Sequence, residues 1–317
     1  MFKQIFDPMV RMLIIALGLA VFLPMREDYI GLGQWIANAG IFVLFFLNGL
    51  KLSRHQVAEG ILDWRFHAVL ICWIFGGMLI GGWLFWKITM AYILPALALG
   101  FLYLGALPST LQSATAYTSI AGGNVAYAVV AAALVNVLGV FLSAPLFVLF
   151  AGEEGVVFNS EILIKIFFIL LVPFTLGQLF HSKMAKDLEH YSSVVWWAER
   201  LPIALAVNVA MSASANDDVW NNIEITYWLL TVATVFLFLI FALLGSWFLA
   251  AFVSKNRSDR IAFFFAGNQK SLAVGAPLAA LIFEPKIVGI ILIPLIIYHF
   301  VQLVVAAPIA TWLKSQS

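Results

Sequence analysis

Charge is what this 317-residue sequence has least of: Lys, Arg, Asp and Glu together make up 10% of it, against 63% hydrophobic residues. Such a composition excludes a soluble domain of ordinary make-up, and the apolar runs are separated by short charged connectors only. No basic region for nucleic acid stands out, and a formal net charge of +1 singles out no partner. Cysteine is nearly absent. Cys72, alone and inside an apolar run, excludes an internal disulfide and any metal site built on paired thiols, and it leaves the redox compartment unread. No Gly-Lys-Ser/Thr phosphate loop occurs, so nothing points to ATP. What the chain does have is apolar length, with 28 Phe and 11 Trp, as expected of an all-α polytopic membrane protein in contact with lipid.

Apolar runs between charged or turn-rich breaks predict ten transmembrane helices, near 5–25, 31–50, 64–86, 91–120, 125–151, 161–181, 195–215, 225–253, 258–283 and 286–312. The first is read as a retained span because Leu23-Pro24-Met25-Arg26 lacks the small-residue cleavage site of a signal peptide. Under this count twelve basic residues, Arg200 among them, fall on the side of the N-terminus and four on the other. That places both termini in the cytoplasm and Glu153-Glu154, Asp217-Asp218 and Glu284 outside. The membrane is expected to be a bacterial inner membrane. The seventeenth basic residue, Lys270, falls inside the ninth span.

Two spans are interrupted. Ile88 to Gly152 contains no charged residue, yet carries the polar insert Pro108 to Asn124. The second interruption, Gly267-Asn268-Gln269-Lys270-Ser271, is polar and begins with glycine. Unpaired polar groups in hydrocarbon cost several kcal/mol each, so such segments are expected to be buried in protein or to line a wet cavity. One break lies in the fourth span of the first five and the other in the fourth span of the second five. The chain is therefore expected to be one integral unit of two inverted five-helix repeats, 1–155 and 156–317, with broken helices meeting near the midplane.

Around these breaks the sequence resembles the bile acid:sodium symporter family, in its sodium/bile acid cotransporter 7-like branch. The resemblance rests on Gly100-Phe101-Leu102-Tyr103-Leu104, Leu107-Pro108-Ser109-Thr110-Leu111-Gln112-Ser113-Ala114 and Ala121-Gly122-Gly123-Asn124. Supporting stretches are Phe45-Phe46-Leu47-Asn48-Gly49-Leu50, Lys270-Ser271-Leu272-Ala273 and His299-Phe300-Val301-Gln302. It implies a core domain and a panel domain, with helices four and nine discontinuous and crossing. In the bile-acid-transporting members two sodium ions bind at the crossing, through a Ser-Asn pair and a Glu four residues before a Gln. Ser113 and Gln269 match, but Ala114 stands in place of the Asn, Phe265 in place of the Glu, and Lys270 where those members have Asn. These departures weigh against sodium at the family's usual sites.

The residues alone point the same way, since no Asp or Glu falls in the middle of a predicted span, and Glu161, Glu199, Glu224 and Asp259 are expected near ends. Candidate substrate- or ion-binding residues are Ser109, Thr110, Gln112, Ser113, Thr115, Thr118 and Asn124 at the first break, and Asn268, Gln269, Lys270 and Ser271 at the second. Asn136, His299 and Gln302 join them as polar side chains in otherwise apolar spans. Each hydroxyl or amide has a purely structural alternative, back-bonding to its own helix or gluing helices together. Lys270 is open to four roles: standing in for a cation, titrating to couple protons, pairing with an anionic solute, or capping free carbonyls at the break. No catalytic residues, metal or cofactor are expected. The sequence is read as a secondary active transporter, not an enzyme. Its expected cargo is a small anionic or amphipathic organic solute, coupled to sodium or a proton, and the alternative is a non-transporting regulator or scaffold with the same fold.

Overall fold

A computed structural model describes residues 8–51, 64–152, 164–215 and 224–316, and every element among them is helical. In chain order these are α1 (Pro8–Phe22), α2 (Glu27–Lys51), α3 (Trp64–Thr89), α4 (Pro95–Ala106), α5 (Leu111–Ile120) and α6 (Val125–Ala151). Then follow α7 (Val172–His190), α8 (Ser192–Ala215), α9 (Ile225–Val253), α10 (Arg257–Asn268), α11 (Leu272–Ile282) and α12 (Pro285–Ser315). Among the described residues seven helical stretches are long and apolar enough to cross a bilayer, and two shorter apolar helices are Arg11–Phe22 and Pro95–Ala106. This is an integral membrane protein. Glu153-Glu154 and Asp217-Asp218, expected to mark the outer face, lie outside the described residues.

The helices associate in two groups. In the first, α8 packs on α1 and α2, and α2 packs on α7. The second gathers α3 to α6 with α9 to α12, and α8 touches it through α11 and α12. Without a hydrophobic force between helices in lipid, close backbone approach is what holds such pairs together. At the α3·α4 contact a Cβ added to Gly82 would lie 2.6 Å from the Phe101 carbonyl, and one on Gly105 would lie 2.7 Å from that of Met78.

Each chain break has a local cause. Pro108 has no N–H to extend the α4 ladder and disfavours helical backbone before it, and Leu107 is extended at φ −80°, ψ 151°. Helix α5 resumes at Leu111, so the polar insert is mostly helical and the extended stretch is 107–110. At the second break α10 runs through Asn268, one residue past the expected glycine. Gln269 is extended at φ −82°, ψ 149°, with Ser271 capping α11. Two boundaries differ from expectation with consequences. Helix α7 extends to His190 and α8 begins at Ser192, because Lys183 to His190 keeps good helix formers without a breaker. Glu199 and Arg200 therefore sit two turns inside α8 rather than at the end of a span.

Candidate functional site

The two breaks are bonded to each other. The Ser271 N–H donates to the Pro108 carbonyl at 2.9 Å, and the Ser113 hydroxyl donates to Gln269 Oε1 at 2.9 Å. With its own hydrogen committed, the Ser113 oxygen accepts from the Thr110 hydroxyl. Gln302, reaching from α12, clamps the second break: its Oε1 accepts from the Lys270 N–H at 2.7 Å and its Nε2 donates to the Lys270 carbonyl at 3.0 Å. The same Nε2 lies 3.0 Å from His299 Nδ1, which makes that ring nitrogen an acceptor. Backbone groups freed by the breaks thus find partners inside the protein, as irregular chain at membrane depth requires.

The carbonyl ends of the half-helices are closed differently. Fully buried, Lys270 donates from Nζ to the Gly105 carbonyl at 2.9 Å and the Leu107 carbonyl at 2.6 Å, at the negative end of α4. At the end of α10, Trp73 Nε1 donates to the Gly267 carbonyl at 3.0 Å and the Tyr298 hydroxyl to that of Asn268 at 2.7 Å. Trp73 opens a π-helical turn in α3, Trp73–Gly77. One break is therefore closed by a cation and the other by neutral donors.

The amino ends of the other two half-helices face a cavity of about 300 Å3 between the two helix groups. Its floor is Thr110 to Ser113 at the start of α5 and Ser271 to Val274 at the start of α11. Helix starts carry backbone N–H groups without intrahelical partners and a partial positive charge. Thr110, the N-cap of α5, makes no side-chain cap bond, whereas Ser271 accepts from the Val274 N–H at 3.2 Å. The walls are largely apolar, from Phe45, Val129, Val137, Ile203 and Leu303, with Asn48, Lys51, Glu199 and Arg200 contributed by α2 and α8.

Six of the fourteen candidates line this cavity: Thr110, Gln112, Ser113, Asn136, Ser271 and His299. Asn136 turns its amide to its own helix, donating to the Ala132 carbonyl at 2.7 Å. Asn268, Gln269, Lys270 and Gln302 form the buried network beneath the floor, where Gln269 also donates to Asn268 Oδ1 at 3.1 Å. Ser109 is buried there too, its hydroxyl without a partner among the described residues. The remaining three lie off the cavity wall. Thr115 and Thr118 back-bond to the Leu111 and Ala114 carbonyls at 2.8 and 2.7 Å, as hydroxyls in apolar helices commonly do. Asn124 caps α6 and donates to Asp259 Oδ1 at 2.8 Å, tying α6 to α10. Sequence reasoning missed Lys51, Glu199 and Arg200. The available signal was a charged pair directly before Leu201-Pro202 and an apolar run, which a slightly earlier helix start brings inside the protein.

Two interrupted helices that meet beside a cavity with helix amino ends on its floor define the transporter class of membrane protein. The chain belongs to the SBF-like CPA transporter family, which its residues 7–315 match. It is 36% identical over 316 residues to an Escherichia coli (strain K12) protein named "Putative symporter YfeH", covering 99% of this chain and 95% of that one. The Pseudomonas aeruginosa protein PA2026 is 36% identical over 303 residues, 94% of this chain and 90% of its own. "Sodium/bile acid cotransporter 7" of Danio rerio is 26% identical over 298 residues, 89% and 86% of the two chains. The family read from the two breaks is thus the right one, and the protein is a membrane transporter of the bile acid:sodium symporter type.

Proposed function

We propose that this protein is a secondary active transporter that moves a small organic anion by alternating access, with the anion held in the cavity between the helix groups. The carrying observation is the pair of helix amino ends at the cavity floor, one of them uncapped, beneath apolar walls. Two such ends favour negative charge, and the walls favour an apolar body, so the solute is an amphipathic anion. The finer architecture belongs to the same reading: ten spans in two inverted repeats, 1–155 and 156–317, with α4/α5 and α10/α11 as crossing fourth and ninth spans. Helices α3 to α6 and α9 to α12 form the core, and α1, α2, α7 and α8 the panel. The protein sits in the bacterial inner membrane with both termini in the cytoplasm, and Lys51, which lines the cavity at the end of α2, supports a cavity mouth on that side. The proposal is a transporter and not an enzyme: the Ser113 hydroxyl is engaged by amide and hydroxyl, not by a base.

Lys270 supports a particular view of coupling. Its ammonium already occupies carbonyls at the first break, where a mobile cation would otherwise find ligands, and among the described residues no ion pair involves it. The ion that drives transport is sodium or a proton, and a resident cation at this break favours the proton. Purified protein in liposomes, given a panel of labelled organic carboxylates under a sodium or a proton gradient, tests both points. Accumulation under the proton gradient, undiminished when potassium replaces sodium, is the expected result. No uptake or binding of any carboxylate under either gradient would sink the reading.

A further inference from the structure

Arg200 carries a positive charge into the cavity, and the one carboxylate paired with it among the described residues, Glu199, is shared with Lys51. It is 9% exposed and lines the cavity wall, two turns inside α8. One terminal nitrogen donates to the Trp196 carbonyl at 3.2 Å, and the guanidinium lies 4.4 Å from the centre of a Trp196 ring. Its Nε has no hydrogen-bond partner among the described residues. The nearby acid, Glu199, is taken: its Oε1 accepts from Lys51 Nζ at 2.5 Å, whereas its Oε2 stays 3.9 Å from Arg200, beyond hydrogen-bond reach. Lys51 and Glu199 cancel, so the wall keeps one net positive charge held in a planar fork of donors. A buried guanidinium with a spare donor is costly unless an anion completes it.

We infer that Arg200 is the side chain that binds the carboxylate of the transported solute, with Trp196 holding the guanidinium plane and the Lys51–Glu199 pair keeping Glu199 from competing for it. The solute is an organic carboxylate whose apolar body rests on the cavity walls. This deepens the transporter reading and rests on it. Recognition has a stated chemical form: Arg200 donates to carboxylate oxygens, which a neutral amide of the same shape cannot replace because it brings no charge and only one such oxygen.

The test compares 3-phenylpropionate with 3-phenylpropionamide, by ligand-induced thermal stabilisation of full-length protein in neutral detergent free of anionic lipid. Wild type is expected to favour the carboxylate, and Arg200→Gln to lose that preference by on the order of tenfold. Arg200→Lys, which keeps the charge but not the fork, is expected to lose it by about threefold. A wild-type protein indifferent to the charge of the probe overturns the anion reading as a whole. Wild-type preference that survives unchanged in Arg200→Gln overturns the Arg200 assignment and leaves the transporter reading standing. Should Arg200→Gln fail to fold, an undiminished preference in Arg200→Lys has the same effect. A structural role through Trp196 would lower the melting temperature of both variants without changing their discrimination between the two probes.

Discussion

At the scale of the residue, Lys270 and Arg200 illustrate opposite fates of a buried cation. Lys270 is satisfied by two carbonyls and has no place on the cavity wall, so the geometry supports a capping role rather than contact with a solute. Lys270→Met should leave the Gly105 and Leu107 carbonyls buried without a donor and lower stability by roughly 2–5 kcal/mol. Thermal unfolding in detergent measures this, and carboxylate stabilisation of the folded fraction should persist. A variant that melts like wild type yet binds nothing would instead place the ammonium in the solute site. Gln302 carries a comparable load, since it pairs both the N–H and the carbonyl of Lys270. Gln302→Leu strands both groups and should cost about 1–3 kcal/mol for each, read by the same unfolding measurement.

At the scale of the element, the breaks work because neighbouring helices supply what the interrupted helices lose. Helix α12 contributes Gln302 and Tyr298, and the π-helical turn of α3 contributes Trp73. The α3·α4 contact must therefore stay close, and glycines permit it. Gly105→Val should push the α4 terminus away from α3 and misplace the carbonyl that Lys270 caps, with a loss of about 1–3 kcal/mol expected of overpacking. Gly18→Val, at a position with open space around an added Cβ, should change the melting temperature little. Equal effects at the two positions would argue against close packing as the cause.

At the scale of the whole molecule, the proposal is two helix groups moving past each other with the cavity between them. The charge bias that sets orientation keeps its sense when Arg200, which lines the cavity, is left out of it, at eleven basic residues against four. Single cysteines at Glu284 and Gln316, in a Cys72→Ala background, should label from opposite faces of the membrane. An impermeant maleimide should reach position 284 from outside intact cells and position 316 after lysis. Labelling of position 316 in intact cells would reverse the orientation and put the cavity mouth on the outer side.

Much of this was legible in the sequence because the bilayer is an exacting solvent. Apolar length dictates membrane helices, and a polar run within that length dictates a segment buried in protein, whereas proline alone does not dictate a break: Pro145, Pro202, Pro277, Pro294 and Pro308 all sit inside continuous helices. Pro108 biases Leu107 toward extended backbone, and together with the polar residues that follow it this made the first break legible before the structure. Partners were another matter. The sequence left four roles open for Lys270, and only the placement of the Gly105 and Leu107 carbonyls against its ammonium favoured one of them. Thr115, Thr118 and Asn124 read like their neighbours Thr110 and Ser113 but are engaged elsewhere, because which face of a short helix meets a cavity depends on the helix packed beside it. Arg200 passed for an ordinary topogenic charge. Its position on the cavity wall depends on the packing of α8 against α2, α11 and α12, contacts between chain segments far apart in sequence that no local pattern encodes.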